Sequence, residues 1–222
     1  SISGREEFQN SGSKTQVISL VTSKIQQLEL SMKLEVNEQI FGDGTGNGGK
    51  DITGLALAVE DGAAWSVYGG INSNTYSFWR NAFLAEGGAL DLASMRNVFN
   101  SASRSKSTPK LLICPQDVYE DYEALALANN DITRTDSKLG DAGFQNQLFK
   151  GVPLVFDEDC TANSMYFLNP EHLRFCIGRG RNFVTTPTQK PDNQDARLSQ
   201  VLLYCNITCN DRRRQGLLNG IT

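Results

Sequence analysis

Between Lys14 and Ile40 the apolar residues Val17, Ile18, Val21, Ile25, Leu28, Met32, Val36 and Ile40 recur at steps of three or four. That is the period of an α-helix burying a single stripe. Lys24, Gln26, Gln27, Glu29, Lys33, Glu35 and Glu38 occupy its other faces. Ser13 is placed to cap its N-terminus, and Gly42 to stop it with a left-handed residue. At about 1.5 Å per residue, some 26 residues make a rod of roughly 39 Å, which needs packing along its whole length. The rod runs into Gly42-Asp43-Gly44-Thr45-Gly46-Asn47-Gly48-Gly49-Lys50, five glycines in nine residues, a stretch suited to positive φ and sharp reversal. Asp51-Ile52-Thr53-Gly54-Leu55 then turns apolar.

Further along the pattern is mixed. Leu90 to Ala102 reads as a helix through Leu92, Met95, Val98, Phe99 and Ala102. Leu111–Cys114 reads as a short buried strand, and Pro115 opens a helix to about Ala128. Val152–Phe156 and Ser164–Leu168 are predicted strands, with Asn169-Pro170 as punctuation. Arg174 to Val184 alternates loosely, and Thr185 to Gln194 is a polar connector containing Pro187 and Pro191. Arg197 to Thr208 and Gln215 to Ile221 read as two strands joined around Asp211 to Arg214. The class is α+β, with no internal repeat.

The chain has 222 residues and a net charge of −4, which fits one large domain or two intimate ones. No apolar run approaches the ~20 residues of a membrane span. No basic segment followed by an apolar one opens the chain as a secretory leader would. The acidic balance speaks against a dedicated nucleic-acid-binding domain, though not against local contact. Cys114, Cys160, Cys176, Cys205 and Cys209 are odd in number and contain no CxxC, so they read as reduced and mostly buried thiols. With His172 the only histidine, no Cys/His zinc site is expected.

Each motif has a plainer reading beside the chemical one. Gly44 to Lys50 matches the glycine and lysine positions of a phosphate-binding loop, but Asp51 replaces the hydroxyl residue that should follow. The run also leaves a helix where a phosphate loop enters one. Gly42, Asp43, Gly44 and Gly46 are therefore assigned as a hinge or turn. There is no nucleophile elbow, and His172 follows Asn169-Pro170-Glu171 as a turn residue. The acidic clusters Glu6/Glu7 and Asp157/Glu158/Asp159 suit either a cation, acid–base chemistry or plain solvation. Arg212, Arg213 and Arg214 read as a contact for a neighbouring subunit's carboxylates or as a solvated run. Trp65, Tyr68, Tyr76, Phe78 and Trp79 flank Gly69-Gly70 as a small core or contact surface, with Trp65, Tyr68 and Trp79 the contact candidates. No catalytic, cofactor-binding or metal-binding residue is assigned.

The order of these pieces resembles the major capsid proteins of tailed bacteriophages with the Hong Kong 97 fold. The carrying residues are the long helix, Phe41-Gly42-Asp43-Gly44-Thr45-Gly46, and Ile52-Thr53-Gly54-Leu55. Pro115-Gln116-Asp117-Val118-Tyr119 is similar to that family's helix after a core strand, and Phe149-Lys150-Gly151-Val152-Pro153-Leu154-Val155 to its Gly-x-Pro-Val strand. Asp195 to Thr222 looks like its closing strand pair. The resemblance implies a peripheral domain of residues 14–45 and 172–196 built on a spine helix. It implies an axial domain of residues 46–171 and 197–222, with residues 1–13 as the remnant of an extended loop. The family's N-terminal arm and most of that loop have no counterpart, so its cross-linking lysine carries over to no residue.

The implied function is structural and non-enzymatic. Pentamers and hexamers would build an icosahedral head enclosing double-stranded DNA without reading its sequence. The implied partners are further copies of the chain, then portal, scaffold or cement proteins, with a location in the virion and no membrane. The alternatives are an encapsulin-like nanocompartment shell, or a soluble hydrolase using the acidic loop residues.

Overall fold

The computed structural model describes residues 1–9, 14–62, 65–128 and 147–222. In chain order the elements begin with β1 (Ile2–Ser3), α1 (Gly4–Gln9), α2 (Lys14–Phe41), α3 (Gly46–Gly49) and α4 (Leu55–Ala58). β2 (Val67–Tyr68), β3 (Ile71–Asn72), β4 (Ala82–Gly88), α5 (Leu92–Ala102), β5 (Leu111–Cys114) and α6 (Gln116–Ala128) follow. β6 (Gln147–Phe149), β7 (Val152–Phe156), β8 (Ser164–Leu168), β9 (Leu173–Ile177) and β10 (Val184–Thr185) come next. The chain closes with β11 (Ala196–Arg197), β12 (Val201–Leu202), β13 (Cys205–Cys209) and β14 (Gly216–Ile221). The helix expected from residue 14 to 40 is one unbroken element. Its expected cap, Ser13, lies outside the described residues.

The chain divides into two compact units, Ser1–Asn37 with Phe175–Asn206 and Glu38–Arg174 with Ile207–Thr222. The second unit is built on a six-stranded mixed sheet in the order β4-β14-β8-β5-β7-β6. β14 runs parallel to β4 and antiparallel to β8, while β5 runs antiparallel to β8 and parallel to β7. The hairpin β6–β7 supplies the far edge.

Side-chain alternation sends successive residues of each strand to opposite faces, and both faces are covered. Met165 and Phe167 of β8, Leu112 and Cys114 of β5, and Leu218 of β14 join one core with α5 and α6. Tyr166, Leu168 and Leu217 join the other, with Phe41 at the end of α2, Leu55 and Ala58 of α4, and Tyr68. β8 is buried throughout, as a middle strand between two covered faces must be. α5 buries Met95, Val98, Phe99 and Ala102, at i, i+3, i+4 and i+7. α6 buries Val118, Tyr122 and Ala126, and the Tyr122 hydroxyl donates to the Leu148 carbonyl at 2.8 Å.

In the first unit β1 pairs with β11 and β10 with β12, each over two residues. Glu7 pairs with Arg197 at 2.7 Å and Glu6 with Lys24 at 2.9 Å. Val21, Ile25 and Leu28 of α2 line a shallow cleft with Ile2 and Val201. β9 pairs with β13 as a separate two-stranded ribbon.

Two expectations need correction. Arg197 to Thr208 is not one strand: β11, β12 and β13 turn successively to β1, β10 and β9. The closing segments do not pair with one another either, because β14 inserts between β4 and β8 while β13 takes β9. Local alternation reports that a segment is extended but not which partner it meets, and here the partners are far away in sequence. Among the described residues no helix is long and apolar enough to cross a membrane.

Candidate functional site

The junction at the end of α2 is built by glycine. Phe41 is buried against Tyr166, with ring centroids 6.1 Å apart, and so anchors the last turn. The Gly42 amide then donates to the Gln39 carbonyl at 3.1 Å. The left-handed residue is Gly44, with φ +81°, and not Gly42 as expected. Asp43 supplies the turn chemistry: its Oδ1 accepts from the Thr45 amide at 2.9 Å and the Thr45 hydroxyl at 2.8 Å. Those two bonds, the backbone one first, hold its carboxyl below the usual range. A Cβ on Gly44 would also stand 3.0 Å from the Thr53 Cα. Gly46 uses no positive φ; a Cβ there would collide with the Asp51 carboxylate.

The closest approach belongs to Gly54. A Cβ on it would stand 2.5 Å from the Gly42 carbonyl oxygen and 2.6 Å from that of Gln39, and nearer still to that of Ile40. The last carbonyls of a helix have no partners within it. Here the chain returning through Gly54 packs directly on them, which only a residue without a side chain can do. The loop between is a compact reversal: Asn47, Gly48 and Gly49 all have positive φ, so α3 is a left-handed turn and not a short helix. This ends one element and starts the next, which is the structural reading of the glycine run.

The arginine run occupies a 3-10 turn, Arg212–Arg214, and its three members have three different fates. Arg212 is fully buried, which overturns its expected role as a subunit contact. Its Nε donates to the Ala58 carbonyl at 2.8 Å, and its other nitrogens to the Ser73 hydroxyl at 2.7 Å and the Leu57 carbonyl at 3.2 Å. Glu60, itself buried, pairs with it at 2.8 Å, and the Tyr68 ring lies 5.3 Å from the guanidinium carbon. Glu60 accepts in turn from the Ser66 amide at 2.8 Å and from the Ser66 hydroxyl. A buried charge is tolerable only when paired and bonded in this way.

Arg213 is exposed and Arg214 half-buried. Both turn back to Asp211, at 3.3 and 2.9 Å. Partial burial works against ionisation of Asp211, but the bonds from Arg214 and Arg213 outweigh it and hold its pKa below the ordinary value.

The aromatic cluster divides in the same way. Tyr68 is buried, and its hydroxyl accepts from the Cys209 amide at 2.8 Å. Trp79 is half-buried, its indole donating to the Tyr68 carbonyl at 3.0 Å. Trp65 is half-buried beneath Arg80, at 5.1 Å. The exposed aromatics are Tyr76 and Phe78, with rings 5.7 Å apart. Tyr68 is thus a core residue, and the outward surface of this cluster is the Tyr76–Phe78 pair.

The remaining expectations resolve locally. Asp157 Oδ1 accepts from the Asp159 amide at 3.0 Å, so the acidic loop is a side-chain-closed turn. His172 is a turn residue whose Nδ1 lies 2.8 Å from the Asn210 side-chain oxygen. All five cysteines are free thiols; Cys114, Cys160 and Cys209 are buried, while Cys176 is exposed. Burial pushes the Cys114 thiol up to about 12. Among the described residues no group of three or more His, Cys, Asp or Glu side chains could hold a metal ion.

No family model matches the chain, and no curated protein matches it in sequence. Its structure does match solved ones. The capsid asymmetric unit of cyanophage A-1(L) superposes with a TM-score of 0.72 at 18% identity, over 100% of this chain and 75% of that one. The chain has the fold of a phage capsid protein. A second match to this capsid fold is the holo-SrpI encapsulin complex of Synechococcus elongatus PCC 7942. It gives a TM-score of 0.51 at 11% identity, over 68% of this chain and 58% of that one.

Within the capsid fold, Glu60 is the residue that the sequence reading missed. A carboxylate directly after the apolar stretch Leu55 to Val59 was the available signal that a buried cation would answer it.

Proposed function

We propose that the chain is a structural major capsid protein of the Hong Kong 97 type. Its copies self-assemble through pentamers and hexamers into an icosahedral phage head around double-stranded DNA. The observation that carries the reading is the likeness of the whole chain to a cyanophage capsid subunit, at a TM-score of 0.72. The junction of α2, the glycine turn and Gly54 supports it, because a long rigid helix joined tightly to a sheet makes a tile able to transmit contacts between its edges.

In this reading α2 is the spine helix and the first unit belongs to the peripheral domain. The sheet unit is the axial domain that meets its copies around capsomer centres. Many modest edge contacts then sum to a stable shell. The role is mechanical and non-enzymatic, the location is the virion, and portal, scaffold and cement proteins are further partners.

Electron microscopy of the purified full-length chain tests the proposal. Capsomers or closed shells are expected; persistent monomers across salt, pH and concentration would count decisively against it. A nanocompartment shell is the second reading, favoured by the likeness to an encapsulin. Co-purification of an enclosed enzyme in place of DNA would select it.

A further inference from the structure

The first unit has no core of its own. Among the described residues of Ser1–Asn37 and Phe175–Asn206, no side chain is buried; every buried apolar residue belongs to the second unit. Leu30 and Leu34 of α2 are 61% and 62% exposed, and Tyr204 is 74% exposed. Phe175 and Ile177, two apart on β9, are both exposed on a ribbon partnered only by β13. Apolar burial is what offsets the entropy of ordering a chain, so a unit of about 70 residues that buries no side chain lacks the usual source of stability. Concentrated apolar exposure of this kind marks a surface that something else covers.

Charge indicates what covers it. Arg174, Arg179, Arg181 and Lys190 lie between Glu171 and Asp192 with no carboxylate among them. Arg174, Arg179 and Arg181 are exposed and enter no ion pair among the described residues. The turn that presents the last two is firmly held. Gly178 donates to the Tyr204 carbonyl at 2.8 Å, Arg181 to the Gly178 carbonyl at 3.0 Å, and Tyr204 to the Arg181 carbonyl at 3.0 Å. The first unit carries eight Lys and Arg against six Asp and Glu, and the second thirteen against nineteen. The chain thus holds both halves of a complementary pair on different surfaces.

We infer that Phe175, Ile177 and Tyr204, with Arg179 and Arg181 at their edge, form a docking surface for a second copy of this chain. The partner presents its acidic second unit, and the first unit acquires its full order only on docking. The contact is head-to-tail, the kind that closes into rings. The apolar residues supply affinity, and the arginines set orientation and exclude like-charged surfaces. This inference rests on the shell-forming reading and names the surface through which it operates.

The full-length chain is compared with Phe175→Ser/Ile177→Ser/Tyr204→Ser and with Arg179→Glu/Arg181→Glu, by sedimentation velocity and by hydrogen exchange before and after assembly. In the wild type, the sheet amides are expected to be protected in both states and those of residues 175–206 only after assembly. The serine variant should keep the sheet's thermal transition while its half-assembly concentration rises by about tenfold or more. The charge-reversal variant should show a defect that narrows as salt is added. Assembly of the serine variant at wild-type concentration overturns the inference, as does equal protection of residues 175–206 before and after assembly. Loss of the sheet's transition in the serine variant also overturns it, because those residues would then be supporting the monomer. A wild type that assembles nowhere overturns the shell-forming reading itself, and this contact with it.

Discussion

Arg212, Arg213 and Arg214 are adjacent in sequence yet chemically unlike one another, because a 3-10 turn points neighbouring side chains in different directions. Only Arg212 reaches the interior, where Glu60 and two backbone carbonyls neutralise and satisfy it. Removing one partner of such a pair leaves the other charge stranded without water, at a cost of about 3–5 kcal/mol. Arg212→Ala should lower stability by roughly that amount, whereas Arg213→Ala should stay within about 0.5 kcal/mol of the wild type. Urea midpoints of the two variants check this, and equal values would mean that the interior ion pair contributes nothing. A buried arginine and a surface arginine have the same letter, so only the fold separates them.

The elements were legible in proportion to how local their causes are. α2 declared itself through a stripe repeating over more than two dozen residues, and α5 through Met95, Val98 and Phe99. β5, β7 and β8 are short apolar runs with clear ends, and they appear at the expected residues. β4 was not legible, because Ala82 to Gly88 mixes small, apolar and charged residues and is made a strand by its partner β14. At the glycine run the turn was readable from composition. The roles within it were not: Gly44 takes the left-handed angle, and Gly54, eight residues beyond Gly46, makes the close approach to the helix end.

The turn after β13 has a pH dependence that follows from its geometry. The Asp211 carboxyl is held below its ordinary pKa, so it binds protons less readily folded than unfolded. Its contribution to stability is therefore complete above about pH 4 and is lost as the pH falls through the lower folded value. Melting temperatures of the wild type and Asp211→Asn, measured from pH 7 to pH 2, should differ at neutrality and converge in acid. A constant difference across that range would show that the carboxylate's charge has no part in holding the turn.

At the scale of the whole molecule, the sheet is closed by its last-made strand. β14 lies between β4 and β8, pairing in parallel with a strand some 130 residues earlier, and it sends Leu217 to one core and Leu218 to the other. Gln215, just before it, is buried and exchanges hydrogen bonds with the Asn169 backbone at 2.7 and 3.2 Å. Until this segment is present, β4 has no neighbour in the sheet and β8 lacks one of its two partners. Pairings so distant in sequence form slowly, because loop closure must precede any gain from contact. A chain built this way becomes a finished tile only when it is complete, which suits a protein whose copies must not join half-folded. Deleting Gly216–Thr222 should therefore abolish the cooperative thermal transition of the sheet unit, not merely lower its midpoint. Near-ultraviolet circular dichroism during heating distinguishes the outcomes. A truncated chain that retains a sharp transition would show that β4, β8 and the two cores close without the final strand.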